Sequence, residues 1–128
     1  MDKIIFHWVE RAEYDLETAK SMLDTGRYLY VGYMCQQAVE KVLKGIIAQQ
    51  NKENLPIHNL NRLAHVAGIE NDLDPEQFNF LAELTPYCIE VRYGDYKESL
   101  SEIINEQKAK ETYEKTLEIF KWLSRKID

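Results

Sequence analysis

Glycine and proline are scarce in this chain, five and three in 128 residues. So few turn residues argue against a many-stranded sandwich or barrel and exclude collagen-like and linker-like chains. Cysteine is scarcer still. Cys35 and Cys88 cannot build a disulfide framework or a Cys-based zinc site, and both read as small core residues. The three histidines stand apart at 7, 58 and 65. With no His-x-x-x-His on one helix, no metal site is expected. Glu-x-x-His, the mark of a di-iron carboxylate bundle, is missing too. No Gly-rich loop cradles a phosphate, and no cofactor is expected. No apolar run approaches the roughly 18–20 residues that cross a bilayer, so no membrane association is expected. The first residues reach Glu10 and Arg11 too soon for a signal peptide, and a cytoplasmic location follows as the expectation.

What is present is the balance of a folded chain: 45% hydrophobic and 30% charged residues, with eight Tyr, four Phe and two Trp. That is too aromatic for disorder. The length fits one domain, residues 1–128, with no linker, repeat or low-complexity tract. Sixteen basic against twenty-two acidic residues give a net charge of −6. Such a field discourages non-specific binding to nucleic acid, although a local basic patch is compatible with RNA.

The dominant period is helical. Ile5, Trp8, Ala12, Leu16, Ala19, Met22 and Leu23 recur at spacings of three and four, which predicts an amphipathic helix over about Asp2–Asp24, capped at Gly26. Val31, Met34, Cys35, Ala38, Val42, Leu43, Ile46 and Ile47 mark a second helix over about Tyr28–Gln50. Two long helices joined so closely pack as an antiparallel hairpin. A loop follows, then a short helix over about Asn59–Ala67 stopped by Gly68. Asp74-Pro75-Glu76-Gln77 is a strong helix start, since Asp74 can cap, Pro75 suits the first position and Gln77 can close a capping box. That helix is expected to bury Phe78, Leu81, Ala82, Thr85 and Cys88, and to kink near 82–86 because Pro86 removes a donor and crowds the Ala82 carbonyl. Val91–Tyr96 reads as a loop. A last helix runs from near Asn105 to about Lys126, with a stripe of Ala109, Tyr113, Thr116 or Leu117, Phe120, Leu123 and Ile127. The expected fold is all-α, an up-and-down bundle of four main helices plus one short helix.

The polar residues that interrupt these stripes are the functional candidates. Asp15 lies seven residues from both Trp8 and Met22, on the core line of the first helix. A carboxylate there is costly unless paired, so it is either bonded to a neighbouring helix or is the acidic member of a site. Gln37, Lys41 and Lys44 share a face of the second helix, which is either a polar groove or a solvated flank. His58 follows the loop, where its imidazole can titrate near neutral pH or simply fill the bundle end. Arg92 can hold a phosphate bidentately, or pair with Asp15 or Glu90. Tyr93 and Tyr96 can stack on a base or cover the core. A homodimer is expected, because each long helix carries more apolar surface than a thin bundle can bury and Tyr28, Tyr30 and Tyr33 add amphipathic surface.

Four motifs in order then resemble a known family: Ala12-x-x-Asp15-Leu16, Gln37-Ala-Val-Glu-Lys-Val-Leu-Lys44, His58-Asn59-Leu60 and Val91-Arg92-Tyr93. The chain is similar to the HEPN domain over about residues 5–125, nearest to the stand-alone prokaryotic HEPN proteins paired with minimal nucleotidyltransferases in toxin–antitoxin-like systems. The resemblance implies a helical bundle, usually a homodimer, partner or substrate of a nucleotidyltransferase, with a groove for a nucleotide or RNA phosphate. Asp15, Gln37, Lys41, His58, Arg92, Tyr93 and Tyr96 are its candidate residues here. Many HEPN ribonucleases carry Arg, four to six residues, then His. After Arg92 those places hold Lys97, Glu98 and Ser99, and Arg62 and His65 stand too close. Catalysis is therefore not expected. One alternative is a metal-independent ribonuclease with His58 as acid or base and Arg92 on the phosphorane. Another is a structural adaptor without a ligand site.

Overall fold

The computed structural model describes residues 2–88 and 104–128. The elements are α1 (Lys3–Asp24), α2 (Tyr28–Gln49), α3 (Leu60–Val66), a 3-10 turn (Glu70–Asp72), α4 (Pro75–Leu84) and α5 (Glu106–Ser124). The described residues contain no strand, and the fold is an all-α bundle. None of its described helices is long and apolar enough to cross a membrane.

Local chemistry sets the helix ends. Asp2 caps α1 by accepting from the Ile4 amide at 2.7 Å, Asn59 caps α3 through the Arg62 amide, and Asn105 caps α5 through that of Lys108. At α4 the expected capping box is complete: Asp74 accepts from the Gln77 amide, and the Gln77 side chain accepts from that of Asp74. Three helices stop in the same way. After α1 the Arg27 amide reaches back to the Met22 carbonyl and the Gly26 amide to Leu23, with Gly26 at φ 78°. Gly68 ends α3 with the matching pair of bonds. Asn51, at φ 58°, does so after α2, where the sequence shows only a loop; asparagine tolerates the left-handed region.

α2 is the axis of the bundle. It packs against α1, α3, α4 and α5, and α1 also touches α5. Fifteen of its twenty-two residues are buried, so it is enclosed on more than one face. α1 lies along it in the expected hairpin, with the small residues Ala12 and Ala19 fully buried where the helices meet. At Gly32 the packing is closest: a Cβ there would come within 2.3 Å of the Tyr87 ring. The α5 stripe runs through Thr116 and not Leu117, because the buried Thr116 hydroxyl donates to the Thr112 carbonyl at 2.7 Å.

The stripe expected on α4 needs correction. Phe78 and Ala82 face solvent, while Phe80, Leu81, Leu84 and, beyond the helix, Tyr87 and Cys88 are buried. Both readings share Leu81 and a three–four spacing, and contact with α2 and α3 selects the Phe80–Leu84 side. Near Pro86, where a kink was expected, the helix is interrupted by a turn at Thr85 and helical backbone resumes over residues 86–88. α4 ends at Leu84, the Thr85 hydroxyl donates to the Leu81 carbonyl at 2.8 Å, and the Leu60 amide donates to that same hydroxyl at 3.1 Å. This bond ties the start of α3 to the end of α4. Cys35 and Cys88 are buried thiols, as expected of core cysteines.

Candidate functional site

Because α2 is enclosed, its polar side chains lie inside the bundle. Gln36, Gln37, Glu40 and Lys44 are buried and Lys41 is mostly so, which excludes a solvated flank. Buried polar groups demand partners. Here they supply them to one another in a continuous chain.

The chain starts between α1 and α2, where the Lys41 ammonium is paired with the Asp15 carboxylate. Asp15 is thus bonded to a neighbouring helix, and its partner is Lys41. Lys41 Nζ also donates to Gln37 Oε1 at 3.3 Å, and Gln37 Nε2 donates to Gln36 Oε1 at 2.7 Å. Gln36 Nε2 then serves two acceptors, the His58 carbonyl at 2.8 Å and Glu40 Oε1 at 3.2 Å. His58 Nδ1 lies 2.9 Å from the same Glu40 oxygen. The other oxygen, Oε2, accepts from Lys44 Nζ at 3.2 Å, and that ammonium also sits 5.7 Å from the Trp8 ring centre. The geometry follows from helical spacing, since 36, 37, 40, 41 and 44 share one side of α2 at three and four residues apart.

The interior charges balance: two carboxylates, Asp15 and Glu40, against two ammoniums, Lys41 and Lys44. Burial by itself would raise the Glu40 pKa. The His58 hydrogen bond, the Lys44 charge and the Gln36 amide outweigh it and hold the carboxyl below its usual value. An ionised Glu40 accepts, so His58 Nδ1 carries the proton in that bond. His58 is anchored at both ring and carbonyl, yet its side chain remains 37% exposed, so the chain of bonds opens to solvent there. Cys88 closes the other side, with Gln37 Nε2 3.8 Å from its sulfur. Glu40, His58 and Cys88 each bring one potential metal-ligand atom within 4.8 Å of the others.

Four of the seven sequence candidates, Asp15, Gln37, Lys41 and His58, therefore belong to one connected network. Arg92, Tyr93 and Tyr96 lie outside the described residues, as does Glu90. Gln36, Glu40 and Cys88 were missed as site residues, and Lys44 was named only for the face it shares with Gln37 and Lys41. The signal for Gln36 and Glu40 was present, because Gln36-Gln37-x-x-Glu40-Lys41-x-x-Lys44 is too polar a pattern for a helix that is apolar on several faces. His65 plays no part: it is exposed and bonded to Glu70 at 2.9 Å. Likewise the cavity of about 160 Å³ lined by Asp74, Gln77, Phe80, Lys115 and Ile119 shares no residue with the network.

A family model described as the HEPN domain matches residues 6–127. Among solved structures, the crystal structure of TT1696 from Thermus thermophilus is similar, with a TM-score of 0.83 and 21% sequence identity. The match covers 98% of this chain and 100% of that one, and at this identity it speaks for the fold alone. No curated protein matches the chain.

Proposed function

This chain belongs to the HEPN domain family, and on that premise we propose that it is the dimeric partner of a minimal nucleotidyltransferase, with a nucleotide- or RNA-phosphate site opening at His58. The observation that carries the reading is the charge-balanced network that ends in an anchored, part-exposed imidazole. Its inner lysines are already paired with Asp15 and Glu40. A phosphate is therefore met at the open end. There the part-exposed imidazole of His58, anchored on Glu40, is the ring that a phosphate oxygen meets. Arg92, Tyr93 and Tyr96 complete the set suggested by the sequence. Dimerism is supported by Ile4, Phe6 and Tyr14, large side chains left exposed on α1.

As substrate, the chain would receive a nucleotidyl group on Tyr93 or Tyr96. The tyrosine oxygen bonds to the α-phosphorus, pyrophosphate leaves, and the phenolic proton passes to solvent. The test mixes the purified chain with a minimal nucleotidyltransferase from the same organism and ATP, and reads intact mass and the tryptic map. A nucleotidyl adduct on Tyr93 or Tyr96 supports the reading. An unmodified chain that also fails to bind the transferase contradicts it. Sedimentation at micromolar concentration checks the dimer, with about twice 15.1 kDa expected and a clean monomer against it.

One geometric fact favours a second reading. An imidazole oriented by a buried carboxylate is what acid–base catalysis needs, and His58 on Glu40 has that form. RNA cleavage without metal or partner that vanishes in His58→Ala would establish a ribonuclease. Intact RNA leaves the binding role standing.

A further inference from the structure

We propose that Glu40, His58 and Cys88 form a binding site for a borderline-soft divalent transition metal, with zinc the best match. The inference does not rest on the nucleotide reading. Three segments far apart in sequence, α2, the loop before α3 and the helical residues 86–88, bring a carboxylate, an imidazole and a thiol to one point, with ligand atoms within 4.8 Å of one another. In a tetrahedral zinc site, bonds of about 2.0–2.3 Å put ligand atoms roughly 3.4 Å apart, so small side-chain movements complete the set, among them an opening of the His58 Nδ1–Glu40 Oε1 pair from 2.9 Å. A thiolate disfavours magnesium and calcium, whereas the S, N, O combination suits zinc. Three protein ligands leave a fourth position for water or another oxygen ligand.

The surroundings support these roles. Glu40 and Cys88 are buried while His58 reaches solvent, which gives an ion a route in. Gln37 Nε2 lies 3.8 Å from the Cys88 sulfur, placed to donate to a thiolate, and Gln36 steadies Glu40 Oε1. Lys44 opposes a cation, but it sits on Oε2, the oxygen turned away from His58. On metal uptake the Cys88 thiol loses its proton to solvent as the sulfur–metal bond forms. The hydrogen bond from His58 Nδ1 to Glu40 Oε1 gives way to two metal bonds: the Nδ1 proton leaves to solvent, and the ring binds as the neutral imidazole with one proton on its other nitrogen, taken from solvent where that nitrogen lacked it.

The probe is cobalt(II), added to the chelator-treated full chain and followed by absorption, with zinc competition. The expected result is one equivalent per chain, a thiolate-to-cobalt charge-transfer band and tetrahedral visible bands, all displaced by zinc. Cys35→Ser should keep the band and Cys88→Ser should lose it. Should Cys88→Ser fail to fold, His58→Ala decides, because its ring is part-exposed: losing a ligand should weaken cobalt binding by more than about 100-fold, the upper end for a merely supporting residue. Lys44→Met should bind cobalt more tightly, since it removes the opposing charge. A wild-type chain with no charge-transfer band, a band that survives in folded Cys88→Ser, or unchanged affinity in His58→Ala would each overturn the site. Nucleotide is absent throughout, so failure here leaves the phosphate reading untouched.

Discussion

The ammonium of Lys41, on α2, closes on the carboxylate of Asp15, on α1, and so ties together the two longest of the described helices. The pair is largely shielded from water, with side-chain exposures of 14% and 9%. Removing one partner strands the other charge inside the bundle. Lys41→Met is therefore expected to cost about 3 kcal/mol, as for buried pairs in general. Adding Asp15→Leu should restore much of that loss. Urea unfolding of the single and double variants measures it, and a Lys41→Met chain as stable as the wild type would mean that the pair does not hold the helices.

Gly32 supplies a second stability test. Alanine is the better helix former by about 1 kcal/mol, so an ordinary helical site would gain from Gly32→Ala. Here the new Cβ meets the buried Tyr87 ring at 2.3 Å. Overpacking of that kind costs about 1–3 kcal/mol, and a net loss is expected. Thermal unfolding decides, and a raised midpoint would show that α2 and Tyr87 are not in such close contact.

Glu40 gives the acid limb of stability. Its carboxyl is held below the ordinary value of 4.5 in the fold. A group depressed in this way stabilises the fold above its unfolded pKa and loses that contribution as pH falls through the folded one. Wild type should thus exceed Glu40→Gln in stability at pH 7, with the gap narrowing as pH drops below 4.5. Chemical unfolding at pH 7, 5 and 3.5 reads it. A gap that is constant across these values would show that Glu40 is not ionised within the network.

These tests also mark what the sequence could reveal. Asp74, Pro75, Gln77, Gly26 and Gly68 act through bonds to residues a few positions away, so the ends of α1, α3 and α4 were legible in the order of residues. The end of α2 near Gln50 was legible as well, but the part of Asn51 as its left-handed stop was not, because asparagine serves a loop as readily as a helix end. On α4 the inward face was misjudged, because a short helix with apolar residues at 78, 80, 81 and 84 offers two stripes and only contact with α2 and α3 chooses between them. Within the site, Asp15, Gln37, Lys41 and His58 stood out as polar interruptions or by motif. Glu40 and Cys88 did not, because their meaning depends on a carboxylate and a thiol from segments 48 residues apart arriving beside one imidazole.

Calorimetric titration of the purified chain with ATP, beside the same titration of His58→Ala, tests the central claim most directly. The imidazole is part-exposed at the mouth of the network, so its loss should leave far-ultraviolet circular dichroism unchanged. The account predicts saturable binding by the wild type that weakens at least about tenfold in His58→Ala, a difference of roughly 1.4 kcal/mol. Wild-type protein that takes up no ATP, or a folded His58→Ala chain that binds it equally well, would contradict it.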